Sequence, residues 1–238
     1  MKLTILGCNG PFPAPGGATS GYLVQAGEKH IQLDLGSGVL SALTGYTAPE
    51  ALTALVLTHW HYDHACDVLP LIYRLEAMGT PLHVYAPVDE ASPIRQAALN
   101  CKMIVLHDIA PGDVIDLDGV TLQVFEARHP VPAVMLRLTE GDATLCYTGD
   151  TNTVPWLADF AQGAGLLLAD GLFKQGMWAE GKPHLSAAQV AQVAAEAGAG
   201  QVVVTHLNPT IDPATLLKEA RCFRQDVKLA ERFQCYTV

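Results

Sequence analysis

The feature that most constrains this chain is the segment His59-Trp60-His61-Tyr62-Asp63-His64, which holds three histidines and an aspartate in six residues. It directly follows the apolar run 52–57, which predicts a buried strand. In extended backbone, alternate side chains point to the same side, so the first two histidines can reach one metal ion. The aspartate and the third histidine, at the start of a predicted helix, can reach another. Because exposed loops favour glycine, asparagine and serine over histidine, the segment predicts a site for two adjacent metal ions.

The rest of the chain alternates predicted strands with predicted helices. Helices are expected over 39–43, 63–78, 90–100, 154–160, 187–197 and 213–221, and Ser186 is a natural N-cap for the helix over 187–197. No linker or repeat interrupts the 238 residues. We therefore expect residues 1–238 to form a single domain, a layered α/β sandwich built on mixed sheets.

The composition limits the partners of the chain. Half of the residues are hydrophobic and 16% are charged, which excludes a disordered chain. A formal net charge of −10, with no cluster of Lys and Arg, disfavours binding to nucleic acid or to anionic membranes. The first twelve residues lack the apolar core of a signal peptide, no apolar run is long enough to span a membrane, and the six cysteines are scattered. A cytoplasmic protein with reduced thiols is expected.

The pattern HxHxDH resembles the metal-binding signature of the metallo-β-lactamase superfamily. Four further motifs of that superfamily occur in order along nearly the whole chain. They are Asp34 in Leu-Asp-Leu-Gly-Ser-Gly, His129 in Ala-Arg-His-Pro, Asp150 in Tyr-Thr-Gly-Asp-Thr and His206 in Val-Val-Val-Thr-His-Leu. The resemblance implies a four-layer αββα sandwich with a dinuclear site at the strand ends.

The same resemblance implies a ligand set. His59, His61 and His129 would hold one metal, Asp63, His64 and His206 the other, Asp150 would bridge the two, and Asp34 would orient ligands through hydrogen bonds. Five imidazoles and two carboxylates suit two zinc ions, with manganese or iron as alternatives. Such a pair can hold a bridging hydroxide as the nucleophile of a hydrolase. In the oxygen-reducing diiron branch, a Glu typically stands where this chain has His61, which disfavours a redox role.

A second resemblance concerns Pro183-His184-Leu185-Ser186-Ala187-Ala188-Gln189 and the helix and strand that follow. This part is similar to the C-terminal part of ribonuclease Z and related small phosphodiesterases. The similarity implies catalytic roles for His184 and its partner Asp170, in addition to Asp63. Asp170 stands in Leu-Ala-Asp-Gly-Leu-Phe, where those ribonucleases usually have His-Glu-Ala-Thr. An imidazole here can protonate the leaving alkoxide, and a carboxylate can orient it.

The chain departs from ribonuclease Z in one informative way. Those enzymes carry a long arm for the tRNA body between the third and fourth motifs, whereas His129 and Asp150 are 21 positions apart here. With the negative net charge, this makes a large RNA an unfavourable substrate and predicts a zinc-dependent phosphodiesterase acting on a small substrate. Two alternatives stay open: a carbonyl ester hydrolase such as a lactonase or thioesterase, and a metal-binding protein of the same fold without turnover. A homodimer is compatible with the sequence.

Aromatic residues near the motif offer candidates for substrate contact. Trp60 and Tyr62 flank the predicted ligands, and two segments, the loop 9–20 and the stretch 173–184 with Trp178, are expected to cover the cleft. The alternative is that these rings only pack around the rim.

Overall fold

A computed structural model describes all 238 residues, from Met1 to Val238. The fourteen strands are β1 Lys2–Gly7, β2 Gly21–Ala26, β3 Lys29–Leu33, β4 Ala54–Val56, β5 Leu82–Pro87, β6 Ile104–Ile109, β7 Val114–Leu117, β8 Val120–Glu126, β9 Val134–Glu140, β10 Ala143–Tyr147, β11 Leu166–Asp170, β12 Gln201–Thr205, β13 Lys228–Leu229 and β14 Cys235–Thr237. The seven α-helices are α1 Val39–Leu43, α2 Tyr62–Ala65, α3 Val68–Met78, α4 Pro93–Asn100, α5 Leu157–Ala161, α6 Ala187–Glu196 and α7 Pro213–Ala220.

The strands form two seven-stranded sheets of matching design. The first has the order β14-β1-β2-β3-β4-β5-β6 and the second β13-β12-β11-β10-β9-β8-β7. In each sheet an antiparallel part continues into a parallel part, β3 to β6 in the first and β10 to β13 in the second. The parallel neighbours are joined through helices, as crossover connections require.

Three apolar layers hold the sheets and helices together. The central layer lies between the sheets and includes Tyr22, Leu136 and Tyr147. A second layer joins the first sheet to α1, α3 and α4, and a third joins the second sheet to α5, α6 and α7. The αββα sandwich expected from the sequence is therefore confirmed. None of the helices is both long and apolar enough to cross a lipid bilayer.

The predicted helix over 63–78 is in fact two helices, α2 and α3. Pro70 lies in the first turn of α3, where its missing N–H is harmless, whereas in one continuous helix it would clash with the carbonyl of Cys66. At the break, Asp67 Oδ2 accepts a hydrogen bond from the backbone of Leu40, 2.9 Å away. The break therefore ties the chain after the histidine segment to the first turn of α1.

Candidate metal centre

The predicted site residues come together where strands of both sheets end. Asp34 follows β3, the histidine segment follows β4, and His129, Asp150 and His206 follow β8, β10 and β12. Asp170 is the last residue of β11, and His184 lies shortly before α6. Parallel strands direct their carboxyl ends to one edge of a sheet, and in open α/β sheets ligands bind outside that edge. Each sheet thus contributes part of one polar cluster.

Three imidazoles meet at the first group of potential ligands. His61 Nδ1 lies 3.0 Å from His59 Nε2 and 3.1 Å from His129 Nε2. A neutral imidazole has only one N–H and one lone pair, so hydrogen bonds alone satisfy three converging rings poorly. Nitrogen ligands on a tetrahedral zinc, with bonds of about 2.0 to 2.1 Å, are separated by about 3.3 to 3.4 Å. The spacing therefore fits three ligands of one ion.

A second group lies beside it and contains two carboxylates. Asp63 Oδ2 lies 3.0 Å from His206 Nε2, and His64 Nε2 lies 3.1 Å from Asp150 Oδ1. The other oxygen of Asp150 is 3.5 Å from His206 Nε2 and 3.7 Å from His59 Nε2. One carboxylate therefore faces both groups of ligands, which is the arrangement that a bridging role requires.

Asp34 is buried behind this cluster and is held by several donors. It accepts hydrogen bonds from the backbone N–H of Thr58, at 2.7 Å, and from the Tyr147 hydroxyl, also at 2.7 Å. His64 Nδ1 donates to it at 2.7 Å, which leaves Nε2 of that ring facing Asp150. Carboxylates that accept from a ligand's second nitrogen fix its ring orientation and tautomer.

A buried carboxylate also lies between His184 and His206. Asp170 Oδ2 is 2.8 Å from His184 Nδ1, and Oδ1 is 3.5 Å from His206 Nδ1. Nε2 of His184 is therefore the atom of that ring available to a metal ion or a ligand, and Nε2 of His206 faces Asp63. His184 Nδ1 is also 3.8 Å from Asp150 Oδ2, so this pair lies at the border of the two ligand groups. Asp150, Asp170, His184 and His206 form a third compact set of potential ligand atoms.

The backbone at the cluster is strained and crowded. Asp34 and His206 have φ values of 52° and 55°, a left-handed conformation that costs free energy in residues other than glycine. A Cβ added at Gly10 would lie 2.1 Å from His206 Nε2. The loop before β2 therefore approaches this imidazole so closely that only glycine fits.

The electrostatics differ between the two groups. Burial lowers the pKa of His59, His61 and His129, so these rings are neutral and their lone pairs are free to bind a metal. Burial opposes the charge on His64 as well, yet the carboxylates of Asp150, Asp34 and Asp63 raise its pKa well above its usual value. Against the same effect of burial, Asp150 and other carboxylates raise the pKa of His206 to about 10. This side of the cluster thus attracts positive charge.

Two buried polar atoms of the cluster lack a hydrogen-bond partner. They are Asp150 Oδ1 and His206 Nδ1. The 3.1 Å contact of Asp150 Oδ1 with His64 and the 3.5 Å contact of His206 with Asp170 are close, but their geometry is not that of a hydrogen bond. Buried carboxylates without full partners are costly unless a cation compensates them. The donor set therefore fits divalent metal ions.

Several contributors to the site were not evident from the sequence. Thr58 and Tyr147, which hold Asp34, stand within or beside the recognised motifs, and their positions could have suggested them. Gly10 could not be found, because its role depends on a close approach across the fold. The suggestion that Trp60 stacks on a substrate is wrong: its ring is buried, and its Nε1 donates to the Pro87 carbonyl at 2.8 Å. Tyr62 is exposed.

The remaining histidines lie outside the cluster. His30, His83 and His107 belong to none of the groups of potential metal ligands. His83 Nδ1 and His107 Nε2 contact each other at 2.8 Å on β5 and β6. The six cysteines are free thiols, and Cys66 lies outside the ligand groups and packs against the apolar layer between the first sheet and its helices.

Comparison with known proteins identifies the family. Residues 38–207 match the model of the beta-lactamase superfamily domain. The probable metallo-hydrolase YhfI of Bacillus subtilis is 33% identical over 237 residues, which cover 97% of each chain. The chain therefore belongs to the metallo-β-lactamase superfamily, among its metallo-hydrolases.

Other similarities agree with this placement. The crystal structure of YhfI aligns with a TM-score of 0.93 at 31% identity and covers 99% of this chain and 98% of that one. A ribonuclease Z of Mycobacterium marinum is 31% identical over 245 residues, covering 89% of this chain and 88% of its own. Human short-form tRNase Z shares the fold, with a TM-score of 0.82 at 20% identity, and the alignment covers 100% of this chain and 99% of that one. The chain thus lies in the ribonuclease Z-like branch, as its motifs indicate.

Proposed function

We propose that this protein is a metal-dependent phosphodiesterase that acts on small substrates. The observation that carries the proposal is the buried pair His184 and Asp170, whose atoms lie 2.8 Å apart at the border of the two ligand groups. A thioester would not need this pair, because its leaving thiolate is a weak base that departs without a proton. A phosphodiester with an alkoxide leaving group does need a proton donor, because an alkoxide is a strong base.

The proposed ligands are the seven side chains that converge at the strand ends. They are His59, His61 and His129 for one ion, Asp63, His64 and His206 for the other, and Asp150 for both. When bound, divalent ions, zinc by the donor set, make a water molecule acidic enough to serve as nucleophile and neutralise charge on a phosphate. The relative YhfI is described as a probable metallo-hydrolase, which supports the binding of such ions.

The protein's own groups would perform the proton transfer. Asp170 accepts from His184 Nδ1, so His184 Nε2 is the atom that can give a proton to the departing oxygen. The neighbouring carboxylates, Asp170 first among them, outweigh burial and raise the pKa of His184, which favours the protonated ring. Asp34 keeps the His64 ring fixed, so the ligand cluster is organised before the substrate arrives.

Two features support a small substrate. The chain between His129 and Asp150 consists of β9, β10 and short turns, with no room for a protruding arm. The net charge of −10 opposes the many phosphate contacts that a long RNA makes.

The similar proteins point to phosphate substrates of different size. One of them, of similar fold with a TM-score of 0.77, is described as a diphosphatase of the PhnP family. The ribonuclease Z relative points to RNA, so an experiment has to compare both.

The test offers three substrates to zinc-loaded protein: bis(p-nitrophenyl) phosphate, a simple lactone and a tRNA precursor with a 3′ extension. We expect release of nitrophenol from the phosphodiester, with kcat/KM well above that for the other two. Asp150→Asn measured in parallel excludes a contaminating activity.

The outcome is decided by the ranking of the substrates. Hydrolysis of the lactone alone would replace the proposal by a carbonyl ester hydrolase. Cleavage of the tRNA precursor with the highest kcat/KM would replace it by a processing nuclease. Zinc binding without turnover of any of the three would leave a metal-binding protein of the same fold.

A further inference from the structure

Asn152 is a fully buried polar residue that has no place in the ligand set. It lies two positions after Asp150, and its buried side chain contacts residues 173–184, here named the cover segment. Asparagine is rarely buried without a structural task, because its amide has donors and acceptors that must be satisfied.

The amide of Asn152 is saturated by the second half of the cover segment. Its Nδ2 donates to the backbone carbonyls of Ala179, at 2.9 Å, and Glu180, at 3.3 Å, and it also contacts the carbonyl of Lys182. Its Oδ1 accepts from the Trp178 indole Nε1 at 2.8 Å. Because carbonyls only accept and the indole N–H only donates, these partners fix which way the amide faces.

The backbone of the same residue reaches a second segment of the metal centre. The N–H of Asn152 donates to the Arg128 carbonyl at 3.1 Å, and the hydroxyl of the preceding Thr151 accepts from the Arg128 N–H at 2.9 Å. Arg128 is adjacent to His129, a proposed ligand. Asn152 therefore joins the loop of Asp150, the loop of His129 and the cover segment.

The end of the cover segment in turn contacts two functional imidazoles. The Pro183 carbonyl lies 3.3 Å from His129 Nδ1, so it can accept from that nitrogen and direct Nε2 toward His61. The next residue is His184, which is bonded to Asp170. A carbonyl behind a ligating histidine fixes its tautomer and ring orientation.

The first half of the cover segment has different anchors. The Gln175 N–H donates to Glu219 of α7 at 2.7 Å, and the Ser186 hydroxyl donates to Gln175 Oε1 at 2.7 Å. Apart from Asn152, the polar contacts of residues 178–183 outside the cover segment are only the 3.3 Å contact of the Pro183 carbonyl with His129 and a long 3.9 Å contact of Glu180 with Arg128. Most of them are exposed, so their position rests mainly on the amide of Asn152.

We propose that Asn152 is a positioning residue, which holds residues 178–184 against the metal centre and thereby orients His129 and His184. Its effect on metal binding follows from the contacts alone, and only its effect on turnover rests on the function proposed above. A carboxylate cannot replace the amide, because its oxygens would face carbonyl oxygens.

The main variant is Asn152→Asp, which keeps the shape of the side chain and removes its donors. Glu180→Gln is the matched control, since this residue lies in the same segment, its side chain is 81% exposed and its contact to Arg128 is a long 3.9 Å. Digestion of the folded, zinc-loaded protein with chymotrypsin measures opening of the segment by cleavage after Trp178. Competition with a chromophoric chelator measures the apparent Kd for zinc.

We expect Asn152→Asp to be cleaved after Trp178 at least about tenfold faster than the control. We expect its zinc Kd to be weaker by about 10- to 100-fold, the usual effect of removing an orienting partner of a ligand. Equal cleavage rates together with equal zinc affinities would overturn the proposal. If Asn152→Asp does not fold, Trp178→Phe removes the indole donor and keeps a cleavable ring, and the same changes are expected to a smaller degree.

Turnover gives a readout that a general loss of stability would not reproduce. The measurement is kcat on an alkyl phosphodiester with saturating zinc. If Asn152 acts through His184, the double variant Asn152→Asp/His184→Ala should have a kcat within about threefold of that of His184→Ala alone. If kcat of the double variant falls by the product of the two single losses, Asn152 does not act through His184. If the unaltered protein hydrolyses no phosphodiester, the proposed function fails, while cleavage after Trp178 and zinc affinity still decide the role of Asn152.

Discussion

Asp150 is the residue on which most of the site converges. It belongs to all three sets of potential ligand atoms, and its two oxygens face the two groups of imidazoles. Burial raises the pKa of a carboxyl group, but His206 and His64 outweigh this effect and keep the pKa of Asp150 far below its ordinary value. Its negative charge is therefore permanent and available to cations at any physiological pH.

Replacing this charge without changing its shape should disable the site. We expect Asp150→Asn to lose at least about a hundredfold in kcat/KM and to retain fewer zinc ions per chain. Elemental analysis of protein dialysed against zinc-free buffer, with kinetics on bis(p-nitrophenyl) phosphate, measures both. Asp142→Asn, in the exposed turn before β10, is the matched control. Unchanged turnover in Asp150→Asn would contradict the ligand assignment.

His184 allows a prediction about the leaving group. If it protonates the departing oxygen, His184→Ala should slow hydrolysis of an alkyl phosphodiester by about 10²- to 10⁴-fold. A p-nitrophenolate leaves without help, so its release should slow by much less. Parallel kinetics on the two substrates measure the difference, and Asp170→Asn should show the same pattern to a smaller extent. An equal loss on both substrates would assign His184 to binding instead of proton transfer.

At the scale of elements, the helices and strands were predictable where local pattern decides them. The capping box of Ser186 and Gln189 defines the start of α6, and α1 spans the predicted residues. The predicted helix over 154–160 begins later, at Leu157, because Pro155 and the contacts of Asn152 hold the preceding residues out of a helix. The pairing of strands distant in sequence depends on contacts that no local pattern records.

The ligand residues were predictable for a different reason. The histidine segment is contiguous in sequence, and each remaining motif lies at the end of a predicted strand. Their resemblance to the metal-binding motifs of the superfamily was therefore sufficient to identify the candidate ligands. Residues that act through space were missed, such as Gly10 beside His206 and the Pro183 carbonyl behind His129. Their roles depend on where separate loops meet, and their residue types alone indicate nothing.

The loop between β1 and β2 allows a prediction at this scale. A Cβ at Gly10 would lie 2.1 Å from His206 Nε2, so Gly10→Ala must displace either the loop or the imidazole. We expect zinc affinity to fall by about tenfold or more, because a displaced His206 is no longer oriented toward the ion. Gly176→Ala is the control, because an added Cβ there meets nothing within 4 Å. Chelator competition on both variants measures the affinity. Equal affinities would contradict the prediction, because they would mean that the loop moves without displacing His206.

At the scale of the molecule, the centre joins the two sheets. His59, His61, Asp63 and His64 come from the segment that follows β4 of the first sheet, and His129, Asp150 and His206 come from loops that follow strands of the second. Ions that bind all of them bind only the folded chain, and ligands of the native state stabilise it by mass action.

Removal of metal should therefore lower thermal stability. At free zinc about a thousandfold above Kd, binding adds about 4 kcal/mol to the free energy of unfolding. For a chain of this size, that amounts to a shift in Tm of about 8 to 16 °C. Differential scanning calorimetry with zinc and with chelator measures the shift, and Asp150→Asn should show a smaller one. Identical melting curves would mean that the cluster binds no metal strongly.

The matching design of the two sheets has a consequence for any process that parts them. Neither half of the polypeptide carries a complete set of donors, so slight sliding along their common seam would release the ions while each half still kept its own helices and strands. Loss of bound zinc should then precede loss of secondary structure. The zinc content of the centre would therefore report whether the two sheets are still packed against each other.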